Sequence, residues 1–288
     1  MCRQAWFPPG SARDAETLVK YLARLEKSCG GHGNGVGWIE MPDGGYDITK
    51  GVKLSVEKAA ELLVQRPRNA WGIFHTRFVS AGNRGNSGCH PHVYESPEAH
   101  KRLAVLTHNG TWFGWQAACL ALAEDYPSDS ATICALMSMY GFGKVAAAVD
   151  ETVIAGIKEK GIWKLRVWED TCPLVLLKSG GVASEGGDGE FEATAALAKG
   201  GHNLLKPRTV QLKSTFYTTP TASMVPGTTF HQPLSLESKV STTKPGGTWM
   251  KCADGAWRQV DTTDTSWVEQ TYGDCLLPGV ADTCKGGE

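Results

Sequence analysis

Two short apolar runs constrain the fold most: Ala70-Trp-Gly-Ile-Phe-His-Thr-Arg77 and Leu103-Ala-Val-Leu-Thr-His108. Each is too short for a core helix and carries aromatic or β-branched residues, so both read as buried strands. A short strand is expected at Cys2–Trp6. Ser11-Ala-Arg-Asp14 has the form of a capping box, and Leu18, Tyr21, Leu22 and Leu25 follow at helical spacing. The glycine-rich segment from Gly30 to Gly35 ends that helix and leads into a strand at Val36–Ile39; a second helix is expected over Ser55–Gln65. Helices are expected again over Ser130–Met139 and Lys144–Lys160, then strands over Trp163–Trp168 and Leu174–Lys178. Strand and helix signals come in clusters rather than in alternation. That order points to α+β layers and away from a parallel doubly wound sheet.

The composition changes near Pro207. Thr and Ser become dense (Thr218-Thr-Pro-Thr221, Ser241-Thr-Thr243), aliphatic residues thin out, and Pro and Gly recur. Residues 1–206 therefore read as the main domain and 207–288 as a partly irregular, Ser/Thr/Pro-rich extension. One hairpin is expected within the extension at 248–260, with Asp254-Gly255 as its turn. No internal repeat stands out.

Charge and cysteine usage exclude several classes. Lys plus Arg is 29 and Asp plus Glu is 30, so no basic excess points to nucleic acid. No apolar run approaches the roughly 20 residues that span a bilayer, and the opening Met-Cys-Arg-Gln-Ala-Trp lacks the apolar segment of a secretory signal. A cytoplasmic location with no membrane partner is the expectation, with the nine cysteines mostly thiols. No C-x-x-C pair occurs, so zinc-ribbon and thioredoxin-like sites are disfavoured.

Cys2 carries the chemistry. A residue this small after the initiator Met permits removal of Met1, which leaves a cysteine with a free α-amine. That amine titrates near 7.7–8.0, about neutral pH. It is therefore able to take the proton of its own residue's thiol, so that nucleophile and base share one residue. Alone, a cysteine at position 2 is more simply a tolerated small residue; the company it keeps changes that reading. His75-Thr-Arg77 ends one strand and is followed by Ser80-Ala-Gly82 and Cys89-His90-Pro91-His92. Thr107-His108-Asn109-Gly110-Thr111 ends another, and Ser128-Asp129-Ser130 opens a helix. An Arg fork pairs with an amino acid's α-carboxylate, and an Asp receives its ammonium. An Asn side chain beside a Gly backbone N–H forms an oxyanion hole.

In this ordered set, across roughly the first 185 residues, the chain resembles the class II glutamine amidotransferases, whose glutaminase domains feed ammonia to synthases. The resemblance implies a four-layer αββα Ntn-hydrolase sandwich. It also implies that Cys2 attacks the glutamine δ-carbonyl to give a γ-glutamyl thioester while Asn109 and Gly110 hold the oxyanion. Arg77 and Asp129 would bind the substrate's carboxylate and amino group. Ser80 and His90 would line the pocket, with Phe78 standing where a Trp or Tyr is frequent. Ala81 stands where some members have His, and the loop Asn83-Arg-Gly-Asn-Ser-Gly88 departs from the family. No cofactor is implied.

Simpler readings stand beside these. Cys89-His90-Pro-His92 offers metal-ligand types without a further ligand at an obvious spacing, so pocket lining is favoured and no metal is expected. The Gly30–Gly37 cluster fits neither G-x-G-x-x-G nor G-x-x-x-x-G-K-[ST]. His75 is at least as readily a core histidine, and Cys29, Cys119 and Cys134 read as small buried hydrophobes. Cys252, Cys275 and Cys284 either bind a metal or do nothing, the second being favoured, and Trp249, Trp257 and Trp267 are candidates for a partner contact. The leading function is glutaminase chemistry supplying ammonia to a separate synthase partner. The alternatives are a stand-alone amidohydrolase of another γ-glutamyl amide, and a catalytically retired domain serving as a binding or assembly module.

Overall fold

The computed structural model describes residues 2–80, 82–96, 102–211, 248–251 and 257–260, the last two segments by backbone alone. Met1, Ala81, Asp254, Gly255, Trp267, Cys252, Cys275 and Cys284 lie outside the described residues. The chain divides into two units, Met1–Leu212 and Lys213–Glu288.

In the first unit the elements run in chain order as β1 (Arg3–Phe7), α1 (Ala15–Ser28), β2 (Asn34–Glu40), β3 (Tyr46–Gly51), α2 (Val56–Gln65), β4 (Ala70–Thr76), β5 (His92–Glu95) and β6 (Leu103–Asn109). They continue as α3 (Trp115–Leu122), α4 (Asp129–Tyr140), α5 (Phe142–Val149), β7 (Thr152–Glu159), β8 (Ile162–Glu169), β9 (Val175–Leu177), β10 (Val182–Ala183), β11 (Ala193–Leu197), β12 (Gly200–Asn203) and β13 (Thr209–Val210). Two sheets result. The first has the order β13-β11-β9-β10-β1-β4-β2-β3 and the second β12-β8-β7-β6-β5, with antiparallel pairing throughout. In the second unit, β14 (Thr248–Lys251) pairs antiparallel with β15 (Trp257–Val260), Thr248 opposite Val260.

Strand alternation sorts the first sheet's side chains into two cores. Ala5, Phe7 and Phe74 face Leu18, Tyr21, Leu22 and Leu25 of α1 and Ala59, Ala60 and Leu63 of α2. Trp6, Ile73, Ile39 and Val182 face Val105, Ile154, Leu165 and Val167 of the second sheet. Each fully buried Leu, Ile or Phe stabilises the fold by about 1.5–3 kcal/mol. With α4 packed on β5 and β6 of the second sheet, the layers run helix, sheet, sheet, helix. The α+β layers expected from the clustered elements, and the four-layer sandwich that the resemblance implies, are the architecture observed.

Local expectations are corrected in three places. The N-cap of α1 is Asp14, whose Oδ1 accepts from Thr17 N at 2.8 Å, while Ser11 Oγ donates to Pro8 O. The helix expected over Lys144–Lys160 stops at Val149: Asp150 turns left-handed (φ 54°), and Thr152-Val-Ile-Ala-Gly-Ile continues as β7. Its side chains are buried on both faces of the sheet, Ile154 in the inter-sheet core and Val153 and Ile157 on the other side, so tertiary burial prevails over the helical reading. Helix α3 was not expected; its apolar sequence Trp-Gln-Ala-Ala-Cys-Leu-Ala-Leu lacks a polar face to give it periodicity.

Candidate active site

Parity places Cys2. In β1 the residues Gln4 and Trp6 face the second sheet while Arg3, Ala5 and Phe7 do not, and Cys2 continues the Gln4–Trp6 stripe. On the facing strand β6, Val105, Thr107 and Asn109 share a face in the same way. Two hydrogen bonds between these stripes join the sheets: Trp6 Nε1 donates to Thr107 Oγ1 at 2.8 Å, and the Cys2 nitrogen donates to Asn109 Oδ1 at 3.0 Å. The second bond occupies the Asn109 oxygen and leaves its Nδ2 to serve as a donor.

The Cys2 thiol lies against the Phe78 backbone, 3.5 Å from the carbonyl and 3.4 Å from the nitrogen. Burial pushes the thiol up to about 11, against the opposing pull of the Phe78 hydrogen bond and Arg77. The thiol is therefore protonated at pH 7 and needs a base to become a nucleophile.

The segment after Asn109 gathers the other residues. Gly110 has φ +151°, and a Cβ there would stand 2.1 Å from Glu151 Oε2. Thr111 Oγ1 lies 2.9 Å from Ser80 Oγ, and Trp112 N donates to Asp129 Oδ2 at 3.2 Å. Asp129 is buried at the start of α4, where its Oδ1 accepts from Ser130 N at 2.8 Å. A carboxylate in a helix's first turn is favoured by the helix dipole. Arg77 is buried too, and its Nη1 donates to the Asn83 carbonyl. The Asn83–Gly88 loop thus wraps this guanidinium; a Cβ on Gly88 would come within 2.3 Å of Nη1. Phe78 is 42% exposed and has the His32 ring 5.0 Å away, centroid to centroid.

His90 is buried beside three other histidines. Its ring is 3.9 Å from His75 and 4.7 Å from His92, and its Nδ1 accepts from His108 N at 3.3 Å. Burial lowers all four, His75 to about 3, so the rings are neutral at pH 7. His75 Nε2 faces the His108 carbonyl at 3.3 Å and carries the ring proton there. Among the described residues no group of three or more His, Cys, Asp or Glu is placed to hold a metal ion, and no helix is long and apolar enough to cross a membrane.

No family model matches the sequence, and no curated protein matches it significantly. Solved structures do match. The glutamine phosphoribosylpyrophosphate (PRPP) amidotransferase from B. subtilis, complexed with ADP and GMP, is 14% identical over 73% of this chain and 49% of its own, with a TM-score of 0.47. The structure of the allosteric regulatory enzyme of purine biosynthesis is 16% identical over 73% of this chain and 49% of its own, with a TM-score of 0.50. The fold rests on the second of these together with the paired sheets above. The first unit shares its helix-flanked, two-sheet fold with the second of these structures. The chain spans about half the length of each of these two structures.

Within this sandwich, direct contacts or chain neighbours link Cys2, Phe78, Arg77, Asn109, Gly110, Ser80 and Asp129. His90 belongs to the layer beneath. Thr111, Trp112 and Glu151 touch the same segment and were not singled out in the sequence. Alternation would have added Gln4, whose position in β1 puts it opposite His75. Glu151 had no sequence signal, because its place beside Gly110 arises only when β7 pairs with β6.

Proposed function

We propose that the protein hydrolyses the side-chain amide of glutamine through a γ-glutamyl thioester on Cys2 and passes the ammonia to a separate synthase. The observation that carries this reading is the Cys2–Asn109 contact, which puts one residue's nitrogen and thiol beside an amide donor at the mouth of the two sheets.

With Met1 removed, the nitrogen bonded to Asn109 Oδ1 is the α-amine. It takes the thiol proton, and the thiolate attacks the δ-carbon of glutamine. Asn109 Nδ2 and the Gly110 N–H stabilise the developing oxyanion. The ammonium then returns its proton to the leaving nitrogen, so ammonia departs and the thioester remains. Water adds to the thioester with the amine again as base, and glutamate leaves as the thiol is restored. Arg77 and Asp129 serve the substrate's carboxylate and ammonium, and Ser80 and Phe78 form the rim. Because the amine must be neutral, turnover rises with pH through the amine's range near 7.7–8.0.

The test is ammonia release from glutamine by the purified protein and by Cys2→Ala. The expected result is loss of at least ~10³-fold in kcat with an unchanged fold. Undiminished release by the variant would overturn the mechanism. Release that requires a larger γ-glutamyl compound would favour the stand-alone amidohydrolase.

A further inference from the structure

A second site is indicated on the opposite face of the second sheet. An open cleft of about 440 Å³ lies there, lined by Arg102, Glu159, Lys164, Arg166, Trp168 and His202 and by the start of α5. None of the Cys2-centred residues borders it. In β8, Trp163, Leu165 and Val167 fill the inter-sheet core, so Lys164, Arg166 and Trp168 form the outward stripe, about 6.7 Å apart along the strand.

The cleft holds more positive charge than it neutralises. Glu159 accepts from both Arg102 (2.9 Å) and Lys164 (2.7 Å), so one carboxylate serves two cations. Arg166 has no hydrogen bond or ion pair among the described residues. Arg208 Nε donates to His202 Nδ1 at 3.1 Å, which turns the imidazole's proton towards the Ala198 carbonyl. The indole Nε1 of Trp168 is enclosed without a hydrogen-bond partner among the described residues. Helix α5 begins at the same cleft. Gly141 caps it without a side chain, and its first turn carries Lys144 and no acid. A cation opposes the dipole at that end, so the turn's N–H groups and positive potential are left for an anion.

We propose that this cleft binds a phosphate-bearing small molecule, with Arg166 and Lys164 on the phosphate, the first turn of α5 supplying backbone donors and Trp168 flanking the remainder. Arg166 provides the forked donor that suits phosphate oxygens.

Calorimetric titration of the full-length protein with inorganic phosphate, ribose 5-phosphate and AMP tests this. Binding of at least one is expected, weakened at least tenfold in Arg166→Gln and weakened further by added salt. Equal affinity for all three identifies free phosphate as sufficient, and tighter binding of the organic esters identifies a phosphorylated metabolite. A second variant guards against misfolding. Gly143 is exposed, and a Cβ at this position would have nothing within 4 Å, so Gly143→Glu places a carboxylate at the cleft and also suits a helix's first turn. It is expected to keep its melting temperature and lose the ligand. Absence of binding by all three compounds, binding unchanged in both variants, or binding of an acidic peptide in their place would overturn the proposal.

Discussion

The layer between the two sheets has two ends built from the same strands and the same faces, yet they differ in kind. One end is apolar: Trp6, Ile73, Val105, Ile154 and Leu165 cluster there. The other holds Cys2, Gln4, His75, Arg77 and Asn109. Two steps along β1 separate a fully buried tryptophan from a fully buried glutamine whose Oε1 and Nε2 both lack partners among the described residues. His75 Nδ1 and His108 Nε2 are without partners at the same end. A buried polar atom left unpaired costs about 1–3 kcal/mol, so the fold concentrates its unfavourable contacts around the candidate site. Regions of this kind are where structures give up stability for function.

A pair of glycines exposes the contrast most strongly. Gly35 sits opposite His75 at the polar end, and a Cβ there would lie 1.7 Å from the His90 backbone oxygen. Gly156 is at the apolar end, where a Cβ would meet the Cδ1 tip of Ile39 at 2.4 Å. Backbone cannot yield as a side-chain tip does. Gly35→Ala is expected to cost at least ~3 kcal/mol and Gly156→Ala only about 1 kcal/mol, read by denaturant unfolding. Equal costs would show that the polar end is no more rigid than the apolar one.

The smallest effect tests the polar end through pH. Glu169 continues the inward stripe of β8, its Oε2 has no partner among the described residues, and burial raises it to about 7, with Asp170 adding to the rise and Lys199 opposing it. Its folded value lies above its unfolded one. The fold is therefore least penalised below about pH 4.5, where both states are protonated, and loses stability as pH rises towards 7. Glu169→Gln is expected to raise stability by about 1 kcal/mol at pH 8 and to change it little at pH 4. Melting curves across that range measure this, and a pH-independent difference would count against it.

Much of the fold was legible because its signals were local. Leu18, Tyr21, Leu22 and Leu25 announced α1, and the runs at Ala70 and Leu103 announced the two central strands. What sequence could not supply came from pairing between distant segments. The stretch from Thr152 became a strand because β6 and β8 flank it, and Glu151 reached Gly110 for the same reason. The candidate site was legible as residue types in order. Its geometry was not: the Asn109 oxygen is spent on the Cys2 nitrogen, the Asn83–Gly88 loop wraps Arg77, and His90 is buried among neutral histidines.

The central claim is that Cys2 is a free-amine nucleophile. Intact-protein mass, taken before and after reaction with a glutamine-like electrophile, measures this directly. A mass lacking Met1, followed by a single adduct that maps to Cys2 among the nine cysteines, is the predicted result. Retention of Met1, or adducts spread over several cysteines, would contradict it.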